Sequence, residues 1–198
     1  MFRQKKRILG ESFWLTATKM KLKEIKKKIK MPEKASFKLD GNSVLITGPK
    51  GTASKKILDK GISIKEESGF IIVRSLRVNK NGKRSVGTAA SLIKNLVKGV
   101  VDGYEYRLKI CSGHFPMNVS VAGKEVTIKN FIGEKNPRKC TVKGNVDVQL
   151  NKDLLTVKGI SKEEVGQAAA DIEQATRITN RDRRIFQDGI YIISKENG

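Results

Sequence analysis

The sequence predicts an α+β fold built from two tandem, duplicated domains, each an antiparallel sheet with one helix packed on one face. Three observations predict it. The alternating stretch Phe37-x-Leu39-x-Gly41, Val44-x-Ile46 returns as Val119-x-Val121-x-Gly123, Val126-x-Ile128 at a constant offset of 82 residues. Further on, Val86-Gly87-x-Ala89-Ala90-x-x-Ile93 returns as Val165-Gly166-x-Ala168-Ala169-x-x-Ile172 at an offset of 79. Within each copy the hydrophobic period also changes from that of a strand to that of a helix. Two matches in the same order, with offsets so close, point to duplication of one unit.

The elements follow in chain order. Residues 1–34 form a basic arm with 12 basic and 3 acidic groups, in which Leu22, Ile25 and Ile29 suffice for one short edge strand. Alternation about Asp40-Gly41-Asn42 marks a hairpin. Gly48-Pro49-Lys50-Gly51 marks a second turn, followed by short strands near Lys55–Leu58, Ile62–Lys65 and Phe70–Val73. Asn79–Arg84 reads as a polar basic loop. The spacing of Val86, Ala89, Ala90, Ile93, Leu96, Val97 and Val100 then predicts an amphipathic helix ending near Gly99. Tyr104, Tyr106, Leu108 and Ile110 alternate as the first strand of the second unit. Val126–Lys143 reads as a hairpin with a long tip around Gly133, Asn136 and Pro137. Ser161-x-x-Glu164 is a capping box for the second helix.

Charge is the strongest global signal: 41 Lys and Arg against 20 Asp and Glu, a net charge of +21. Such an excess repels itself in the compact state, so its reason lies in a polyanionic partner whose counterions are released on binding. Nucleic acid is the first candidate and an anionic membrane surface the second. The membrane reading lacks a basic amphipathic helix, and no run approaches 18 apolar residues. The start of the chain is a poor secretory signal, its short apolar stretch being broken by Glu11 and Ser12. Cys111 and Cys140 have no ligand spacing and read as inward-facing free thiols of a reducing compartment.

Enzyme chemistry finds little support. His114 is the single histidine, without Cys or carboxylate neighbours at metal-ligand spacing, and Ser112 and Cys111 beside it lack a nucleophile elbow. It reads as a structural or RNA-stacking residue. Gly48-Pro-Lys-Gly51 is no phosphate-cradling P-loop, and Asp171 and Glu173 point to different helix faces. No metal site, cofactor or small-molecule substrate is expected. Three basic clusters in segments read as non-helical carry the binding prediction: Lys80, Lys83 and Arg84; Lys135, Arg138, Lys139 and Lys143; Arg177, Arg181, Arg183 and Arg184. Arginine's planar fork suits phosphate oxygens. With few aromatics and no helix-turn-helix or zinc finger, the expected mode is recognition of folded RNA by backbone and shape. The Lys135–Lys143 tip and the Arg177–Arg184 cluster are expected to converge as two halves of a clamp.

His114-Phe115-Pro116-Met117-Asn118-Val119, Asn130-Phe131-Ile132-Gly133-Glu134-Lys135 and Asn180-x-Asp182-x-Arg184-x-Phe186-x-Asp188-Gly189-Ile190-Tyr191 resemble blocks of one large-subunit ribosomal protein family. It is the family numbered six in bacteria and nine in eukaryotes, in its archaeal and eukaryotic branch. The resemblance runs from about Met20 to Tyr191. It implies a cytoplasmic, non-enzymatic constituent of the large ribosomal subunit. Its second domain is then expected to contact ribosomal RNA near the sarcin-ricin loop and the stalk base, beside neighbouring ribosomal proteins. A transient RNA-processing or ribosome-assembly factor is the rival reading. Residues 1–19 precede the family's usual start, and the basic loop 79–84 is shorter than in eukaryotic members and lacks their paired tryptophans. The organisation is then an N-terminal extension (1–19), domains at 20–101 and 102–182, and a C-terminal tail (183–198).

Overall fold

The computed structural model describes residues 24–40, 43–57, 61–67, 69–182 and 184–197. The extension, the Gly41-Asn42 turn, Leu58 and Arg183 therefore lie outside the described residues.

The first unit contains β1 (Ile25–Lys30), β2 (Ser36–Asp40), β3 (Ser43–Gly48), β4 (Gly51–Lys56), β5 (Ile62–Glu67), β6 (Phe70–Ser75) and α1 (Lys80–Val101). The second contains β7 (Tyr104–Cys111), β8 (Asn118–Ala122), β9 (Glu125–Lys129), β10 (Arg138–Thr141), β11 (Val146–Asn151), β12 (Leu154–Gly159), α2 (Lys162–Ala175) and β13 (Gly189–Asn197). Each unit divides its strands between two antiparallel sheets. The order β1-β6-β5 is repeated as β7-β12-β11, and β2-β3-β4 as β8-β9-β10. The duplication inferred from spacing is thus a duplication of strand pairing. Among the described residues, β13 has no counterpart in the first unit. It pairs antiparallel with the free edge of β7, with a bulge between Ile192 and Ser194, so the segment set apart in the sequence as a tail completes the second sheet. The equivalent edge, β1, presents Lys26, Lys27 and Lys28, which discourage edge-to-edge pairing.

Each helix covers the inner side of its own strands. Val86, Ala89, Ala90, Ile93, Val97 and Val100 pack on Val44, Ile46, Ile71 and Val73. Val165, Ala168, Ala169 and Ile172 pack on Leu108, Val126, Ile128, Leu155, Val157 and Ile190. Full burial of one such aliphatic chain is worth about 1.5–3 kcal/mol, so each core is held by the residues that carry the sequence repeat.

Several local expectations change. Asn79–Arg84 is mostly helical: the Asn79 side chain caps α1 by accepting from Gly82 N at 2.7 Å, so Lys80, Lys83 and Arg84 stand on its first turns. Gly99 does lie near the end of α1, two residues before its last, and a Cβ there would collide with the Ile160 carbonyl of the second unit. The residue that turns the chain out of α1 is Gly103, at φ +76°, donating to Gly99 O at 3.0 Å. The capping box of α2 is half formed. Ser161 Oγ accepts from Glu164 N at 3.4 Å, while the Glu164 carboxylate accepts from Asn145 N at 2.8 Å. Both cysteines are free, but only Cys140 is buried; Cys111 is out of phase with Tyr104, Tyr106 and Leu108 and is half-buried. Burial, followed by the nearby Asp171 charge, pushes the Cys140 thiol above its ordinary pKa.

Candidate nucleic-acid interface

Three loops of the second unit meet at the end of α2. The first is the β9–β10 tip. It leaves β9 through Asn130 and Ile132, both in the left-handed region (φ 59° and 50°), and Gly133 at φ 77°. A β-branched residue at positive φ is strained, so the surroundings must hold it. Phe131 is buried in the core beneath the tip, and Asn130 Nδ2 donates to Pro116 O at 2.9 Å. Gly133 stands beside the Phe115 ring, which ties the second loop, Ser112–Met117, to the first.

The third loop, Arg177–Gln187, leads from α2 to β13. Thr176 and Asp188 bracket it, and with Ser75 they are the buried polar side chains among the described residues. Thr176 Oγ1 donates to Glu173 O at 3.1 Å and accepts from Ile190 N at 2.9 Å, pinning the two ends of the loop together. Asp188 Oδ1 accepts from Gly113 N and from His114 N (3.0 Å), and Oδ2 lies 2.5 Å from His114 Nδ1. Burial opposes ionisation of this carboxyl, but the His114 and Gly113 hydrogen bonds outweigh it and hold the pKa below the usual aspartate value. His114 lies stacked on Phe186, with ring centroids 4.7 Å apart. The Arg181 guanidinium sits over the same Phe186 ring, 4.8 Å from its centroid.

Arg138 joins the first loop to the third. It forks onto Glu134 at 2.8 and 2.5 Å, lies over Phe131 at 4.3 Å, and donates through Nη1 to Ala175 O (2.8 Å) and Arg177 O (3.3 Å). The Arg138 bond is the main cause holding the Glu134 carboxyl below its ordinary pKa. The two expected halves of the clamp therefore do converge, and a predicted phosphate ligand is the residue that joins them. Its guanidinium is largely committed within the protein.

The other predicted residues fall into distinct settings. Lys135 and Arg177 are exposed. Lys139 is exposed and pairs with Glu125 at 3.0 Å, a surface contact of small energetic weight. Arg184 forks onto Asp182 at 3.2 and 3.0 Å, and that bond is the main cause holding the Asp182 carboxyl below its ordinary pKa. Lys143 lies past the far end of β10, beside Gly144 and the start of α2, so it does not share the tip with Lys135. Lys80, Lys83 and Arg84 belong to the first unit. By helical rise, Lys80 is about 28 Å along α1 from Gly99, where the units touch. That turn carries no acidic residue, so its orphan amides and its lysines present one positive end.

A family model described as Ribosomal protein L6 matches residues 31–103 and 115–189. The chain belongs to the ribosomal protein L6 family. Among similar proteins, the "Large ribosomal subunit protein uL6" of Methanothrix thermoacetophila is 43% identical over 174 residues, 88% of this chain and 99% of the relative. Its namesake in Methanosarcina mazei is 44% identical over 174 residues, with the same shares. That of Methanobrevibacter smithii is 42% identical over 172 residues, covering 87% and 97%. The two matched stretches of the L6 family correspond to the two units described above, and the second runs through the Arg177–Gln187 loop to Gly189.

Residue-type reasoning missed the supports of this L6-family surface: Thr176, Phe186, Asp188, Asn130 and Phe131. A charge census cannot find them because they are uncharged or buried. A legible signal existed in Phe186-x-Asp188-Gly189, an acid placed between an aromatic and a strand start. Its partner, His114, is 74 residues away.

Proposed function

We propose that this chain is a structural, non-catalytic constituent of the large ribosomal subunit, seated in the cytoplasm on ribosomal RNA. One observation carries the RNA-binding reading. Arg138 ties the β9–β10 tip to the end of α2, so that Lys135, Arg177, Arg181 and Arg184 emerge from connected loops at one end of the second unit, with Lys139 exposed on β10 beside the tip. Such a rigid cationic surface binds phosphate without first paying to order its loops. The names and high identity of the archaeal relatives support the ribosomal assignment of the whole chain. Arg183 belongs to the same cluster in sequence. Lys143, and the α1 start with Lys80, Lys83 and Arg84, supply separate basic patches for further backbone contacts. His114 lies at the rim of the main surface.

In finer detail, the second unit faces RNA near the sarcin-ricin loop and the stalk base, beside neighbouring large-subunit proteins. The surface suits this role because it reads phosphate and shape, with no cofactor or small molecule involved. Sucrose-gradient sedimentation tests the assignment. The protein is expected to remain near-stoichiometric with mature large subunits after a moderate salt wash. Release in that wash, or association with precursor particles alone, overturns the assignment in favour of a transient assembly or processing factor.

A further inference from the structure

We propose that Asp188 is a positioning residue of the RNA-facing surface, presenting Arg181 by way of His114 and Phe186. This rests on the RNA-binding reading above and adds a residue that touches no RNA.

Asp188 is the one charged side chain buried among the described residues, with a relative exposure of 3%. Burying a carboxylate is costly unless its oxygens are satisfied, so its partners indicate what it is for. Those partners all lie in one place. Two backbone amides, of Gly113 and His114, and the imidazole of His114 converge on it from the loop that follows β7. The carboxylate thus fixes both the path of that loop and the rotation of the His114 ring. That ring lies at 26° to Phe186, and Phe186 in turn carries the Arg181 guanidinium. The chain of contacts runs from a buried anion, through two stacked rings, to an exposed arginine.

The core of the second unit is already closed by Phe131, Leu108, Leu155 and Ile190. Phe186 packs against the edge of that core and is only partly buried, and the His114 side chain is 39% exposed, so the outer face of the stack stays at the surface. Its result is to restrict a long cationic side chain that would otherwise sample many rotamers. Immobilising such a side chain on binding costs about 0.5–1.5 kcal/mol, and a stack formed beforehand removes that cost from association. Thr176 serves the same loop at its other end by tying α2 to the start of β13.

The test is a double-mutant cycle on the full-length protein, read as affinity for an in vitro transcript of large-subunit ribosomal RNA at fixed salt. Asp188→Asn keeps the shape and one acceptor for the backbone amides but removes the charge opposite His114. It is expected to weaken binding about tenfold with the circular dichroism spectrum unchanged, the size of one lost charge-assisted hydrogen bond. Arg181→Ala is expected to weaken binding to a similar degree. The double variant is expected to bind no more weakly than the poorer single variant, because Asp188 acts through Arg181. If Asp188→Asn fails to fold, His114→Ala replaces it in the same cycle, with the same expectation of non-additivity. Wild-type affinity from Asp188→Asn, or additive losses in the cycle, overturns the positioning role. Failure of the wild-type protein to bind the transcript in a salt-dependent way would instead remove the RNA-binding reading itself.

Discussion

The two hairpin tips are copies of one design used in opposite directions. In the first unit the β3–β4 tip is the tight Pro49-Lys50 turn, with Gly48 paired to Gly51. It turns inward: Lys50 N donates to Val100 O at 3.1 Å, Lys50 Nζ donates to the Asp102 carbonyl at the end of α1, and Gly51 lies against Ile160 of the second unit. In the second unit the tip is three residues longer, as the strand partners show: Ile46 pairs with Ala53, but Ile128 pairs with Arg138. It turns outward. Arg138 still reaches the carbonyls at the end of its helix, Ala175 and Arg177, while Lys135 and Lys139 stay exposed. A basic side chain capping the helix C-terminus is common to both copies, as the helix dipole favours. The extra residues, not a new kind of contact, leave the second tip projecting. Duplication supplied two caps, and one of them became the base of a binding surface.

The largest effect is expected where the units touch: Gly99→Val places a side chain against the Ile160 carbonyl and should cost about 1–3 kcal/mol or more, read as a lower urea midpoint. Next is Arg138→Ala, which removes charge-assisted bonds to Glu134 and two carbonyls. A loss of about 1.5–3 kcal/mol is expected in urea unfolding. Replacing Arg138 is therefore a poor test of RNA binding, because it would mix unfolding with lost phosphate contacts. Lys50→Ala sharpens the contrast from the other side. It should lower stability by about 0.5–1 kcal/mol and leave RNA affinity and its salt dependence unchanged, since that tip is turned inward. Lys135→Ala with Lys139→Ala is expected to do the reverse. Stability should stay within about 0.5 kcal/mol, while the slope of log affinity against log salt falls by roughly 0.7–0.9 per lost phosphate contact.

Asp188 adds a smaller, pH-dependent term confined to the second unit. Its carboxyl is held below the ordinary aspartate value, so it favours the folded state at pH above the unfolded pKa, about 3.9. That contribution should be lost as the pH falls through the lower folded value. Urea midpoints measured between neutral and acid pH are expected to drop less steeply for Asp188→Asn than for the wild type.

Much of this was legible in the residues. Alternation and helical spacing gave both units their elements, because burial on one face of a strand or helix imposes a period that survives duplication. The Lys135–Lys143 tip and the Arg177–Arg184 cluster were also expected to meet; Arg138 does reach Arg177 O, but Lys143 lies past the far end of β10, away from the tip. The helical start of α1 was not expected, because the polar run Asn79–Arg84 has no apolar period and owes its structure to the Asn79 cap.

What the sequence determined by itself, then, was the repeated pattern of burial, the charge, and the family that the motifs resemble. Only the tertiary structure decided which cations are free. Arg138 and Lys135 are equivalent as charges, yet one is spent on backbone carbonyls 37 and 39 residues away and the other is exposed. It also decided that 189–197 is a strand, and that the arginine loop exists because the chain must return from α2 to the open edge of β7. Hydrogen-bond partners distant in sequence leave no periodic trace, so contacts such as Asp188 with His114 appear only once the chain has closed on itself.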